Sequence, residues 1–114
     1  MTSTSKENEM MDWINKALYY EKVKDINNCN YCCEKAIGLG HFGIYPYQKA
    51  IINYIKLKEW KNALRICDLV FKNERFFNHR KFFKDKLSTW EEISSYASKR
   101  KVFILKQIQK ESKK

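Results

Sequence analysis

An all-α fold is predicted by three observations. Breakers are scarce, with 3 Gly and 1 Pro in 114 residues, too few for a sheet with many tight turns. Apolar residues recur at helical spacing through most of the chain. The chain also repeats itself. When "YIKLKEWKNALRICDLVF" (Tyr54 to Phe71) is laid on the stretch from Tyr20 to Ile37, Tyr54 falls on Tyr20, Lys56 on Lys22, Lys58 on Lys24, Asn62 on Asn28 and Cys67 on Cys33, at a constant offset of 34 residues. A period of that length signals a unit of two helices.

The elements follow in order. Residues 1–8 are polar and are expected to fray. Met10, Met11, Ile14, Ala17, Leu18 and Glu21, widened by Trp13 and Tyr20, predict a helix over about 9–23. A turn at Lys24 and Asp25 follows, with Asp25 able to cap the next helix, which runs to about Ile37 and carries Ile26, Cys29, Cys33, Ala36 and Ile37 inward. "GLGHFGIYP" (38–46) holds every Gly and the only Pro, so it is the clearest loop. Gly38 suits a left-handed helix end and Pro46 the first turn of the next helix. Further helices are predicted over about 46–57 (Tyr47, Ala50, Ile51, Tyr54, Ile55) and about 60–72 (Trp60, Ala63, Leu64, Cys67, Val70, Phe71). Phe76, Phe77, Phe82, Phe83 and Leu87 resume the apolar pattern. Ser88 with Glu91 reads as a capping box at which a helix can restart, and Trp90 to Ile108 keep helical spacing. The pattern over 79–110 fits one long helix or two.

The chain length bounds the molecule to one domain. The formal charge is +10, unevenly spread: residues 1–71 hold 10 Lys/Arg against 8 Asp/Glu, and residues 72–114 hold 13 against 5. A basic end region is a footprint for nucleic acid, anionic lipid or an acidic partner. The compositional alternative is that 19 Lys against 4 Arg, beside many Asn and Ile, reflects AT-rich coding. The N-terminal stretch lacks the apolar core of a signal peptide, and no run approaches the roughly 20 apolar residues of a membrane span. A cytoplasmic protein with four reduced Cys is expected.

These residues resemble the tetratricopeptide repeat (TPR) family, whose pattern is W-x2-L-G-x2-Y followed by A-x3-F. In the first unit Trp13, Ala17 and Tyr20 take the Trp, small and Tyr places, and Cys29, Cys33 and Ala36 take the later ones. In the second, Tyr47, Ala50 and Tyr54 precede Ala63 and Cys67. Small residues let two antiparallel helices cross closely, and large ones fill the space around the crossing. The sequence departs from the family at Lys16, where Leu is usual, and at Lys24 and Lys58, where a turn Gly is usual; His41 stands in place of the final Pro. The resemblance covers residues 10–71 and fades over 78–111. It implies two antiparallel hairpins stacked as a short solenoid, with repeat 1 over about 10–43 and repeat 2 over about 44–77. A basic C-terminal capping helix or helix pair over about 78–112 would cover the second hairpin.

The resemblance further implies a non-enzymatic adaptor whose first helices line a concave groove for a peptide or protein. Carried over by position, that groove comprises Met11, Ile14, Asn15, Leu18 and Lys22 from the first unit and Tyr45, Gln48, Lys49, Ile52 and Lys56 from the second. Leu18 and Ile52 stand where a carboxylate-gripping variant would need Asn. The alternative partner is nucleic acid, on a face formed by Arg75, Arg80, Lys81, Lys84, Lys99, Arg100 and Lys101, with Phe76, Phe77, Phe82 and Phe83 available to stack bases or, as their helical spacing favours, to face the core. Self-association of the open repeat ends is the third reading. No metal or cofactor is expected. Cys29, Cys33 and Cys67 occupy packing positions, and His41 and His79 lack a nucleophile or carboxylate at catalytic spacing. "GLGHFG" lacks the Lys-Ser/Thr of a phosphate loop.

Overall fold

The computed structural model describes the backbone of residues 2–78 and 86–112 and the side chains of residues 5–77 and 89–112. Six helices make up the described fold: α1 (Thr2–Lys22), α2 (Ile26–Gly38), α3 (Ile44–Lys56), α4 (Trp60–Lys72), the short α5 (Glu74–Asn78) and α6 (Lys86–Ser112). Neighbours in the chain are neighbours in space. α1 packs on α2, α2 on α3, and α3 on α4, while α6 covers α4 and touches α3 and α5.

The 34-residue offset found in the sequence reappears in the backbone. α1 and α3 end at equivalent residues, Lys22 and Lys56, and α2 and α4 start and stop at equivalent residues. The turns match bond for bond. Lys24 N–H donates to Glu21 O and Asp25 N–H to Tyr20 O, just as Lys58 N–H donates to Ile55 O and Glu59 N–H to Tyr54 O. This is the Schellman arrangement, in which the residue after the helix cap must be left-handed. Lys24 and Lys58 have φ of 63° and 57°, the only positive values among the described non-glycine residues. The lysines that depart from the usual turn Gly thus adopt the backbone that Gly would.

α2 ends in the same motif, with Gly40 N–H donating to Ile37 O and His41 N–H to Ala36 O. The left-handed residue is therefore Gly40 (φ 86°), and not Gly38, which is the last residue of the helix. Gly40 is required twice over, because a Cβ there would also lie 3.1 Å from the Phe76 ring. Asp25 caps α2 as expected: its Oδ1 accepts from Asn28 N–H at 3.2 Å. At the N-terminus the expected fraying is replaced by helix from Thr2; nothing in 2–9 is a Gly or Pro, so the periodic segment extends backward without a break. α3 begins two residues before the expected start, placing Pro46 in its first turn. α6 starts at Lys86 and continues unbroken past Ser88, so the helix does not restart at the capping box.

The core is built from repeat-equivalent pairs. Ala17 and Ile51, Cys29 and Ala63, Cys32 and Ile66, Cys33 and Cys67, and Ala36 and Val70 are all buried. The small residues expected at helix crossings are all buried, and Trp13, Tyr20 and Trp60 pack partly buried around them. Other pairs break the rule: Ile37 is buried while its equivalent, Phe71, is exposed, and Ala50 is buried while its equivalent, Lys16, is exposed with its ammonium 4.6 Å from the Trp13 ring centre. α3 is flanked by α2, α4 and α6, whereas α1 packs chiefly on α2, so Lys16 keeps the outer side of α1 in water. The far end is closed by aromatics. Phe77 is buried and sits 5.4 Å from the Tyr47 ring and 5.5 Å from Trp90, which also meets Phe71 edge-on.

Candidate functional site

Met11, Asn15, Leu18 and Lys22 form one exposed stripe of α1, spaced four, three and four residues apart. Met11 is 52% and Leu18 46% exposed, two of the ten large apolar side chains that stand exposed among the described residues. Ile14 turns into the core instead. On α3, Tyr45, Gln48, Lys49 and Ile52 are half-buried and Lys56 is exposed.

The two stripes are tied together by a residue absent from the expected set. Glu21 Oε1 accepts from Tyr45 Oη at 2.7 Å and lies 3.4 Å from Lys49 Nζ. Burial, and then the bond to Glu21, push the Tyr45 phenol far above its usual pKa, so it stays a donor. Its repeat equivalent is Ile55, so the carboxylate is peculiar to the first unit.

Beside this tie lies a cleft of about 330 Å³ lined by Tyr20, Glu21, Lys24, Ile26, Cys29, Lys49, Asn53 and Lys56. Asn53 is 3% exposed, and its Nδ2 donates to Oδ1 of the equally buried Asn30 at 2.9 Å. Asn30 Nδ2 has no partner among the described residues.

Between α2 and α4, Arg65 makes a two-pronged bond to Glu34 (2.7 and 2.9 Å), and the Tyr54 hydroxyl donates to the same carboxylate. Burial alone would raise the Glu34 pKa, but the hydrogen bonds from Arg65 and Tyr54 and the guanidinium charge outweigh it and hold the carboxyl below its usual range. Asp68, the repeat equivalent of Glu34, pairs with Lys101 of α6 at 2.9 Å. The same position thus ties the second helix of each unit to a later helix, α2 to α4 and α4 to α6.

That pair also bears on the expected basic face. Lys101 is taken up by Asp68, while Arg100 lies over the Tyr96 ring and Arg75 over the Phe76 ring. Lys99 is exposed. Arg80, Lys81, Lys84, Phe82 and Phe83 lie outside the described residues, as does His79. Phe77 serves the core, and Phe76 lies against Gly40.

The four Cys are buried free thiols. Burial raises the pKa of Cys32 and Cys33 and pushes Cys67 up to about 11, so these groups stay protonated and unreactive. His41 is held neutral by burial, and its Nδ1 accepts from Gly43 N–H at 2.9 Å. Its own carbonyl accepts from Tyr47 Oη at 2.7 Å, so the loop between the two units is fastened at both ends of this residue. No described helix is long and apolar enough to cross a membrane. No protein-family model, curated protein or solved structure matches the chain.

Proposed function

We propose that this chain is a TPR-like adaptor, a non-enzymatic module that receives a peptide or protein helix across α1 and α3. One observation carries the reading: Met11 and Leu18 stand exposed on α1 in the same stripe as Asn15 and Lys22, on the helix that Glu21 ties to α3. An apolar pair flanked by a polar side chain and a cation suits the apolar edge of a helix or extended peptide. Two further features support it. The helix ends and turn bonds recur at the period of the repeat, as two stacked hairpins would require. Four buried free thiols fit a reducing compartment such as the cytoplasm.

The test is capture of partners from host lysate after nuclease treatment by the wild type, by Leu18→Arg and by Ile52→Arg. Leu18 is exposed, so its replacement changes stability by no more than about 0.5 kcal/mol. A partner retained through nuclease and lost with either Arg variant supports the groove. Material lost on nuclease treatment and indifferent to both variants refutes it.

A further inference from the structure

The cleft beside Glu21 has a counterpart one repeat later, and the two differ in charge. The second cleft, about 550 Å³, opens at the equivalent turn: Lys58, Glu59, Trp60, Lys61 and Asn62 face Ile108, Glu111 and Ser112 of α6. The Trp60 indole N–H donates to Glu111, and the two lysines are balanced by two glutamates. In the first cleft the place of Trp60 is taken by Ile26, so no such bridge can form. Three lysines (Lys24, Lys49, Lys56) face a single acid, Glu21, which is already engaged by Tyr45 and Lys49. The side chains of Lys24 and Lys56 have no ion-pair or hydrogen-bond partner among the described residues. Lys24 is held at the rim by its left-handed backbone, and the wall contains the buried amide of Asn53, which makes a single bond to Asn30 and has donor capacity left over.

The geometry points to a carboxylate-binding site: this cleft takes an acidic side chain of a bound peptide, with Lys24 and Lys56 supplying charge and Asn53 a hydrogen bond. The inference rests on the groove reading, since Lys49 and Lys56 belong to both, and it names the chemistry that would fix the register of the peptide. A carboxylate meeting two otherwise unpaired ammonium groups beside an amide donor gains charge-assisted bonds, and here, unlike in the second cleft, lysines outnumber acids. The second cleft, neutral and bridged, provides an internal control.

The experiment is a titration of the full-length, 15N-labelled chain with a blocked hexaglutamate peptide, followed by NMR. Hexaglutamine of the same length serves as the uncharged comparison. Saturable shifts confined to the Asn53 side-chain amide and the amides around Lys24 and Lys56, absent with hexaglutamine, are expected. The double variant Lys24→Asn/Lys56→Gln should weaken binding about tenfold, and Lys58→Asn/Lys61→Gln less than twofold. Asn keeps the left-handed turn accessible, so fold loss is not the cause, and an unchanged spectrum away from the cleft verifies this. Shifts spread over the lysines of α6, equal weakening by both double variants, or no saturable binding overturns the proposal. The groove reading fails separately: if Leu18→Arg abolishes partner capture while Lys24→Asn/Lys56→Gln does not, the groove stands and this site falls.

Discussion

Replacing Lys24 and Lys58 by glycine should stabilise the protein. Both lysines carry a Cβ in the left-handed region, at φ 63° and 57°, because the closing bonds of the Schellman turns leave no alternative. That conformation costs a side-chain-bearing residue about 1 kcal/mol, from the clash of Cβ with the following carbonyl. Glycine removes the clash but has more freedom to lose on folding, which takes back several tenths. The net gain is about 0.5 kcal/mol per site. The two turns share no partners, so the double variant should gain about 1 kcal/mol. At this chain length that raises Tm by about 4 °C. Differential scanning calorimetry and urea unfolding measure it, with Lys24→Asn and Lys58→Asn expected between wild type and glycine. Equivalent gains at the two sites would follow from equivalent turns. A lowered Tm in both glycine variants would refute the left-handed assignment and the repeat of the turn with it.

Other outcomes are expected. Glu34→Gln should cost about 1 kcal/mol in urea unfolding, because that carboxylate accepts two bonds from Arg65 and one from Tyr54, whereas Asp68→Asn should cost less because it loses a single bond to Lys101. The folded pKa of His41 lies below its usual value, so its contribution is full above the unfolded pKa of about 6.5 and is lost as pH falls through that value toward the folded one. The urea midpoint should therefore drop between pH 7.5 and 5.5, and His41→Asn should flatten that slope; an identical slope in the variant contradicts the His41 account. The four thiols should resist a disulfide reagent in the native protein and react fully in denaturant, and one fast-reacting native thiol would show that a Cys is less enclosed than described.

Much of this fold was legible in the sequence because the repeat and the breakers agreed. Gly and Pro confined to 38–46 marked the loop, and the offset carried the bounds of α2 onto α4. What stayed hidden depended on choices between near-equivalent residues. "GLG" offers two glycines, and which one turns left-handed was decided by where His41 N–H could reach Ala36 O. The polar start of α1 has no apolar period, so helix and fray read alike. At the candidate site, the stripe on α1 followed from spacing, but Glu21 did not, since its role depends on Tyr45 and Lys49 reaching it from a helix 24 residues or more away in the chain. The pairing of Lys101 with Asp68 was equally invisible: the charge run was evident, its internal partner was not.

The central claim is that a partner sits on the face shared by α1 and α3. The most direct measurement places a photo-crosslinking phenylalanine analogue at position 18, 52 or 35, one variant at a time, and irradiates each in host lysate. The account predicts a common adduct from 18 and 52 and none from 35, where Lys35 is exposed on α2 near Tyr31. An adduct from 35 with none from 18 or 52 would place the partner on the other side of the molecule and contradict the account.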